Sequence, residues 1–204
     1  KTILSIHHYW KYAQDKRLVI VAPAQKVKEG GWDREINNFN KYYGTNINYK
    51  VISYGRLKHV EGNKNTYLIF DECHYIKNYK KSQRSKLALK LCKASYGFCL
   101  LSATPASNGY QDLGNYMAIF GLYASGYSYE KANAIKKINY MGFYEIVAWK
   151  NTEYIDKCWK AISSIALNKN DCLDLPDLVF EEKYFAAGDE YIAIKKDRVL
   201  GDEL

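Results

Sequence analysis

The chain has 204 residues, of which 48% are hydrophobic and 25% charged, with a formal net charge of +8; this length fits one domain with an appendage, and the balance excludes disorder. Its longest uncharged apolar stretches, 18–24 and 98–106, fall far short of the ~20 residues of a membrane-spanning helix, so no membrane anchor is expected. Five cysteines without regular spacing exclude a secreted disulfide framework, and a reducing, cytoplasmic setting is expected.

The first fourteen residues open on a cation but then place Ile3, Ile6 and Trp10 on one helical face, which argues for a helix and against a signal peptide. Strands are predicted at 18–22, 49–53, 67–71 and 98–102, each a short apolar run rich in β-branched or aromatic residues. Between them Trp32, Ile36 and Phe39 share a helical face, as do Leu87 and Leu91. This alternation predicts an α/β fold with a mostly parallel sheet and helices on both faces. Each strand ends where open α/β sheets place ligands: at Ala22-Pro23, at Ser53-Tyr54, at Asp71-Glu72 and at Ser102-Ala103-Thr104-Pro105. After Pro105 the pattern turns helical, with Leu113, Tyr116, Met117 and Phe120 on one face. A loop is expected at 121–126, then a second helix carrying Ile155, Cys158, Trp159, Ile162 and Ile165. Leu175-Pro176-Asp177 breaks the helical pattern, and 179–185 reads as a short strand. The predicted domains are a lobe at 1–125, its helical extension at 126–175 and a linker at 176–204.

Charge is unevenly spread. No acid lies between Glu72 and Asp112, while Lys77, Lys80, Lys81, Arg84, Lys86, Lys90 and Lys93 supply seven cations. Such a run is either a solvated helix face or a set of phosphate contacts. Between Asp171 and Glu190 the balance inverts, with seven acids against Lys183.

The chemistry concentrates in Leu68-Ile69-Phe70-Asp71-Glu72-Cys73-His74, an apolar strand that delivers two adjacent carboxylates to its carboxyl end. In a Walker B arrangement the first acid holds Mg²⁺ and the second positions or deprotonates the attacking water. Neighbouring strand residues face opposite ways, so the pair can divide these roles only where the backbone turns. A strand capped by Asp-Glu at an ordinary loop is the plain alternative. Thirty residues after the acids comes Leu100-Leu101-Ser102-Ala103-Thr104-Pro105, a second apolar strand ending in two hydroxyls.

Together these pieces resemble motifs II and III of superfamily-two helicases and translocases. Val19-Ile20-Val21-Ala22-Pro23-Ala24 with Trp32 to Ile36 and Phe39 looks like motif Ia, and Val51-Ile52-Ser53-Tyr54 looks like motif Ib. Asp71 to Asn78, with Ser82, Arg84, Ser85 and Lys86 following, is similar to the extended motif II of Swi/Snf-type ATPases. Leu173-Asp174-Leu175-Pro176 resembles that family's crossing into a second lobe. The resemblance implies a RecA-like P-loop NTPase lobe of an ATP-driven translocase on double-stranded DNA. It makes Asp71 and Glu72 the catalytic acids, with Asp71 and Thr2 on Mg²⁺. His74, Ser102 and Thr104 become coupling groups, and Pro23, Ser53, Tyr54 and Lys77 nucleic-acid contacts. Lys1-Thr2 resembles the end of a Walker A motif, with Lys1 reaching the ATP phosphates.

The same resemblance implies phosphate-cradling glycines before Lys1 and a second RecA-like lobe carrying an arginine finger, so the chain by itself is expected to be inactive. Leu167-Asn168-Lys169-Asn170-Asp171 stands where the family tends to place Arg-Arg or Arg-Lys pairs, which leaves the interlobe contacts open. Two rival readings are a strand-separating DExH helicase on RNA or DNA and a non-catalytic nucleic-acid-binding module of the same fold. Cys73 beside His74 makes a poor nucleophile and base pair, because adjacent side chains at a strand end rarely converge. Cys92, Cys99, Cys158 and Cys172 lack zinc-site spacing and read as core residues. His7 and His8 read as surface or partly buried residues.

Overall fold

The computed structural model describes residues 1–163. The segments at 165–185, including Ile165, Leu175-Pro176 and the strand expected at 179–185, lie outside the described residues.

Helix α1 (Thr2–Ala13) leads into β1 (Arg17–Ala22), a short α2 (Ala24–Lys28), α3 (Gly31–Tyr43) and β2 (Tyr49–Ser53). A 3₁₀ turn, Tyr54–His59, precedes β3 (Thr66–Asp71), and a second, Cys73–Ile76, follows it. Then come α4 (Gln83–Ala94), β4 (Gly97–Leu101), α5 (Tyr110–Ile119), α6 (Gly126–Asn133), β5 (Ala134–Ile138), β6 (Tyr144–Trp149) and α7 (Thr152–Ile162). Among the described residues no helix is long and apolar enough to cross a membrane.

The first four strands form one all-parallel sheet in the order β2-β1-β3-β4. All four lie within one residue of their predicted bounds; β1 and β3, buried on both faces, are continuous apolar runs, and the edge strands β2 and β4 are only partly buried. The two-residue period then divides the side chains between two cores. Leu18, Ile20, Tyr67 and Ile69 pack with Ile6, Tyr9, Trp32, Ile36 and Phe39 of α1 and α3. Val19, Val21, Leu68 and Phe70 face the other way, onto Ala88, Leu91, Leu113, Tyr116, Met117, Tyr129 and Ile155. Each large apolar side chain so buried contributes roughly 1.5–3 kcal/mol. Strand β4 forms one edge of the sheet, and all five of its residues are half-buried.

Two helical faces differ from expectation. In α1 the buried residues are Ser5, Ile6, Tyr9 and Ala13, while Ile3 is 58% exposed; the stripe follows Tyr9, whose hydroxyl donates to the Lys16 carbonyl at 2.5 Å. Phe120 caps α5 instead of continuing its buried face, and its ring meets Phe98 edge-on at 5.2 Å.

The extension is not wholly helical. Strands β5 and β6 pair as an antiparallel hairpin inside it. The turn between them is closed by Asn139, whose side-chain oxygen accepts from the Met141 and Phe143 amides at 3.0 Å each. Ile135, Ile138, Tyr144, Ile146, Val147 and Trp149 supply strand propensity without a helical stripe. Trp149 reaches back to Tyr110 and Tyr129, ring centroids 6.3 and 5.6 Å away. Gly114 and Gly126 allow α5 and α6 to close on the Tyr79 ring: a Cβ at Gly114 would lie 2.6 Å from it, and one at Gly126 would overlap it.

Candidate functional site at the carboxyl end of the sheet

Asp71 is the last residue of β3 and is 5% exposed. Its side chain continues the face of Tyr67 and Ile69, and Oδ2 accepts from Trp32 Nε1 and Lys26 Nζ, both at 3.1 Å. Glu72 adopts the left-handed conformation, φ 54° and ψ 55°. A side chain there costs on the order of 1 kcal/mol or more, and such strain gathers at functional sites. The turn brings Glu72 Oε1 to 3.2 Å from the same Lys26 Nζ, so two neighbouring carboxylates converge on one cation.

The turn is braced from both sides. The Tyr54 hydroxyl donates to the Asp71 carbonyl at 2.8 Å, and the Tyr75 amide donates to the Glu72 carbonyl at 3.1 Å. The Tyr54, Tyr75 and His74 rings stack in sequence, with centroids 5.1 and 4.9 Å apart. His74 Nδ1 lies 3.4 Å from Glu72 Oε2 and 3.4 Å from Ser102 Oγ, and Ser102 Oγ accepts from the Thr104 amide at 3.1 Å. The Tyr116 hydroxyl reaches the Cys73 and Pro105 carbonyls at 3.2 Å each, tying the loop after β3 to the loop after β4.

Burial works against the charged form of Lys26, but hydrogen bonds and attraction from Asp71 and Glu72 outweigh it and raise its pKa. Burial also raises the Tyr54 hydroxyl and pushes the Cys73 thiol up to about 12. Cys73 is a buried core thiol, and its raised pKa disfavours the thiolate that a nucleophile needs.

Lys1 and Thr2 begin α1. The other half of that helix sits at the amino end of the sheet, where His8 Nδ1 lies 2.8 Å from the Tyr67 hydroxyl. Seven residues at ~1.5 Å each carry the helix start ~10 Å toward the carboxyl end. Four residues of β3 carry the chain ~13 Å the same way, to Asp71. The topology thus brings Lys1, Thr2 and the acids to one end of the sheet.

Two of the expected nucleic-acid contacts have their polar groups engaged within the fold. Tyr54 is 4% exposed and spends its hydroxyl on the acid-bearing turn. Lys77 Nζ is held by Asp112 at 2.7 Å and Ser107 at 2.6 Å, which neutralises its charge within the fold. Pro23 precedes α2 and Ser53 ends β2, both half-buried at the same end of the sheet. Of the other cations in the acid-free run, Lys80 pairs with Glu130 and Lys93 donates to the Ala124 carbonyl. Lys81, Arg84, Lys86 and Lys90 form no ion pair among the described residues.

Sequence reasoning missed Lys26 and the hydrogen-bonding role of Trp32. The signal was present: Lys26 lies three residues beyond Pro23, one turn after a strand that neighbours β3. Among the described residues no group of three or more His, Cys, Asp or Glu side chains could hold a metal by itself. The chain matches no protein-family model and no curated protein.

Proposed function

We propose that this chain is the first RecA-like lobe of a superfamily-two DExH-box ATPase, of the Swi/Snf type that moves along double-stranded DNA. The observation that carries the reading is the convergence of Asp71 and Glu72 on one cation through the strained turn at Glu72. An ordinary loop after a strand has no need of a left-handed glutamate. The residue types fit magnesium: Asp71 and Thr2 offer the oxygen donors that this ion prefers, and Lys26 already sets a positive charge against Asp71 Oδ2.

Asp71 and Thr2 would hold the ion, which when bound neutralises charge on the ATP phosphates. Glu72 orients the attacking water and takes its proton. Lys1, at the start of α1, would reach the phosphates. His74 touches both Glu72 and Ser102, so a change at the water-activating acid passes to the loop carrying Thr104.

The test is duplex-stimulated phosphate release by the full-length protein. Glu72→Gln keeps the side-chain shape but removes the base, and a positioned general base contributes about 10²–10⁴-fold. Turnover should fall by at least ~10²-fold while nucleotide and duplex binding persist. A variant that hydrolyses ATP at the wild-type rate would overturn the reading.

A further inference from the structure

On the opposite face of the sheet a cavity of about 550 Å³ opens beside edge strand β2, running from Arg17 and Lys50 near the amino ends of β1 and β2 to Ile52 near the carboxyl end of β2. Its floor is the buried pair Val19 and Ile52, which belong to the core away from Asp71. Arg17 and Lys50 rise from the amino-terminal ends of β1 and β2, and Arg56 and His59 come from the 3₁₀ turn after β2. Arg17 lies five residues before Ala22, ~16 Å along the strand from the level of the acids.

Four basic side chains surround this cavity against one acid, Glu61, and none of the five forms an ion pair among the described residues. Gathering like charges raises the local potential and destabilises the fold unless an anion shares the space. Position fixes the cluster. Val19 pairs in register with Lys50, so Arg17 and Lys50 stand on one face, and Arg56 and His59 are three residues apart on a 3₁₀ turn, where side chains eclipse. Apart from His59 the lining holds no ring on which a base could stack, so the recognisable part of a ligand is its phosphate.

The geometry points to a second phosphate site, separate from the carboxylate centre, that takes the sugar-phosphate backbone of a nucleic-acid duplex without reading its sequence. The inference rests on the proposed function only for its choice of duplex. A free polyphosphate is the competing occupant.

The chain is titrated, without nucleotide, into a fluorescein-labelled duplex over a range of salt, and separately with sodium pyrophosphate by calorimetry. Arg17→Ala/Lys50→Ala/Arg56→Ala should weaken duplex binding about tenfold or more at low salt. It should also flatten the dependence of log K on log salt by about 2–3, close to one for each phosphate no longer neutralised. Arg17→Lys/Arg56→Lys should retain both, and Lys50→Glu, one exposed edge-strand change, should weaken binding by itself. Unchanged affinity and slope in the triple variant and in Lys50→Glu would overturn the site. Pyrophosphate binding that the triple variant loses while its duplex affinity stands would overturn the duplex as occupant. Wild-type hydrolysis by Glu72→Gln would overturn the proposed function and leave this site standing as long as the cavity variants still lose duplex binding, so the two failures are distinct.

Discussion

Lys26 is the residue on which both acids depend. Asp71 is buried, while Lys26 keeps 44% of its side-chain surface in solvent. Removing one partner of a fully buried ion pair costs about 3–5 kcal/mol, and the water around Lys26 reduces that to roughly 1–2 kcal/mol. Lys26→Met should lose that amount in urea unfolding. Magnesium at millimolar concentration should then raise the variant's melting temperature more than the wild type's, because the ammonium no longer competes for the same oxygens. Equal shifts in the two proteins would refute the competition. The folded pKa of Lys26 is raised, so its contribution is complete below about 10.4 and fades as pH rises through the folded value. Asp71, Glu72 and Ser102 were legible because a strand end is marked by the run before it. Lys26 was not, since a lysine on a five-residue helix looks like any solvated cation. The direction of Tyr54 was equally hidden: residue type shows that a phenol can bond, but not whether it turns toward a ligand or toward the chain.

At the scale of elements, Glu130 holds α6 to its surroundings. Its carboxylate takes Lys136 of β5 at 2.6 Å, Lys80 at 2.8 Å and the Tyr79 hydroxyl. Burial acts against its charge, but these three bonds prevail and hold its pKa at about 2. Because the folded value lies below the unfolded one of about 4.3, the stabilisation is present above pH ~4.3 and lost as pH falls through the folded value. It is worth on the order of 3 kcal/mol at neutral pH. Urea unfolding at stepped pH should show Glu130→Gln less stable than wild type at pH 7, with the difference closing in acid. A constant difference across that range would refute the ionic origin. The hairpin of β5 and β6 shows why the residue pattern in this region pointed to helix alone. Its apolar residues are mostly exposed, so they carry no burial stripe, and only the Asn139 turn and the β-branched content mark it.

Across the whole described molecule the parallel sheet was the most legible feature, because both of its faces are covered and its strands therefore carry few polar residues. Burial also governs thiol chemistry. Cys73 and Cys92 are buried, and Cys99 and Cys158 half-buried. Burial pushes the Cys99 thiol up to about 11. In native protein at neutral pH, peptide mapping after brief alkylation should find Cys158 modified well before Cys73 and Cys92, whose labelling should await unfolding. Early modification of Cys73 would mean that the core beneath the acids opens locally.

Tyr79, seated between Gly114 and Gly126, ties three distant positions into one unit of heredity. Either glycine can gain a methyl group only after the phenol has shrunk, and a shrunken ring leaves Glu130 without its hydroxyl. The permitted route through sequence space therefore has an order, with position 79 changing first and carrying the loss alone until a glycine follows. Lineages descended from such a chain would inherit these three sites together or exchange them together.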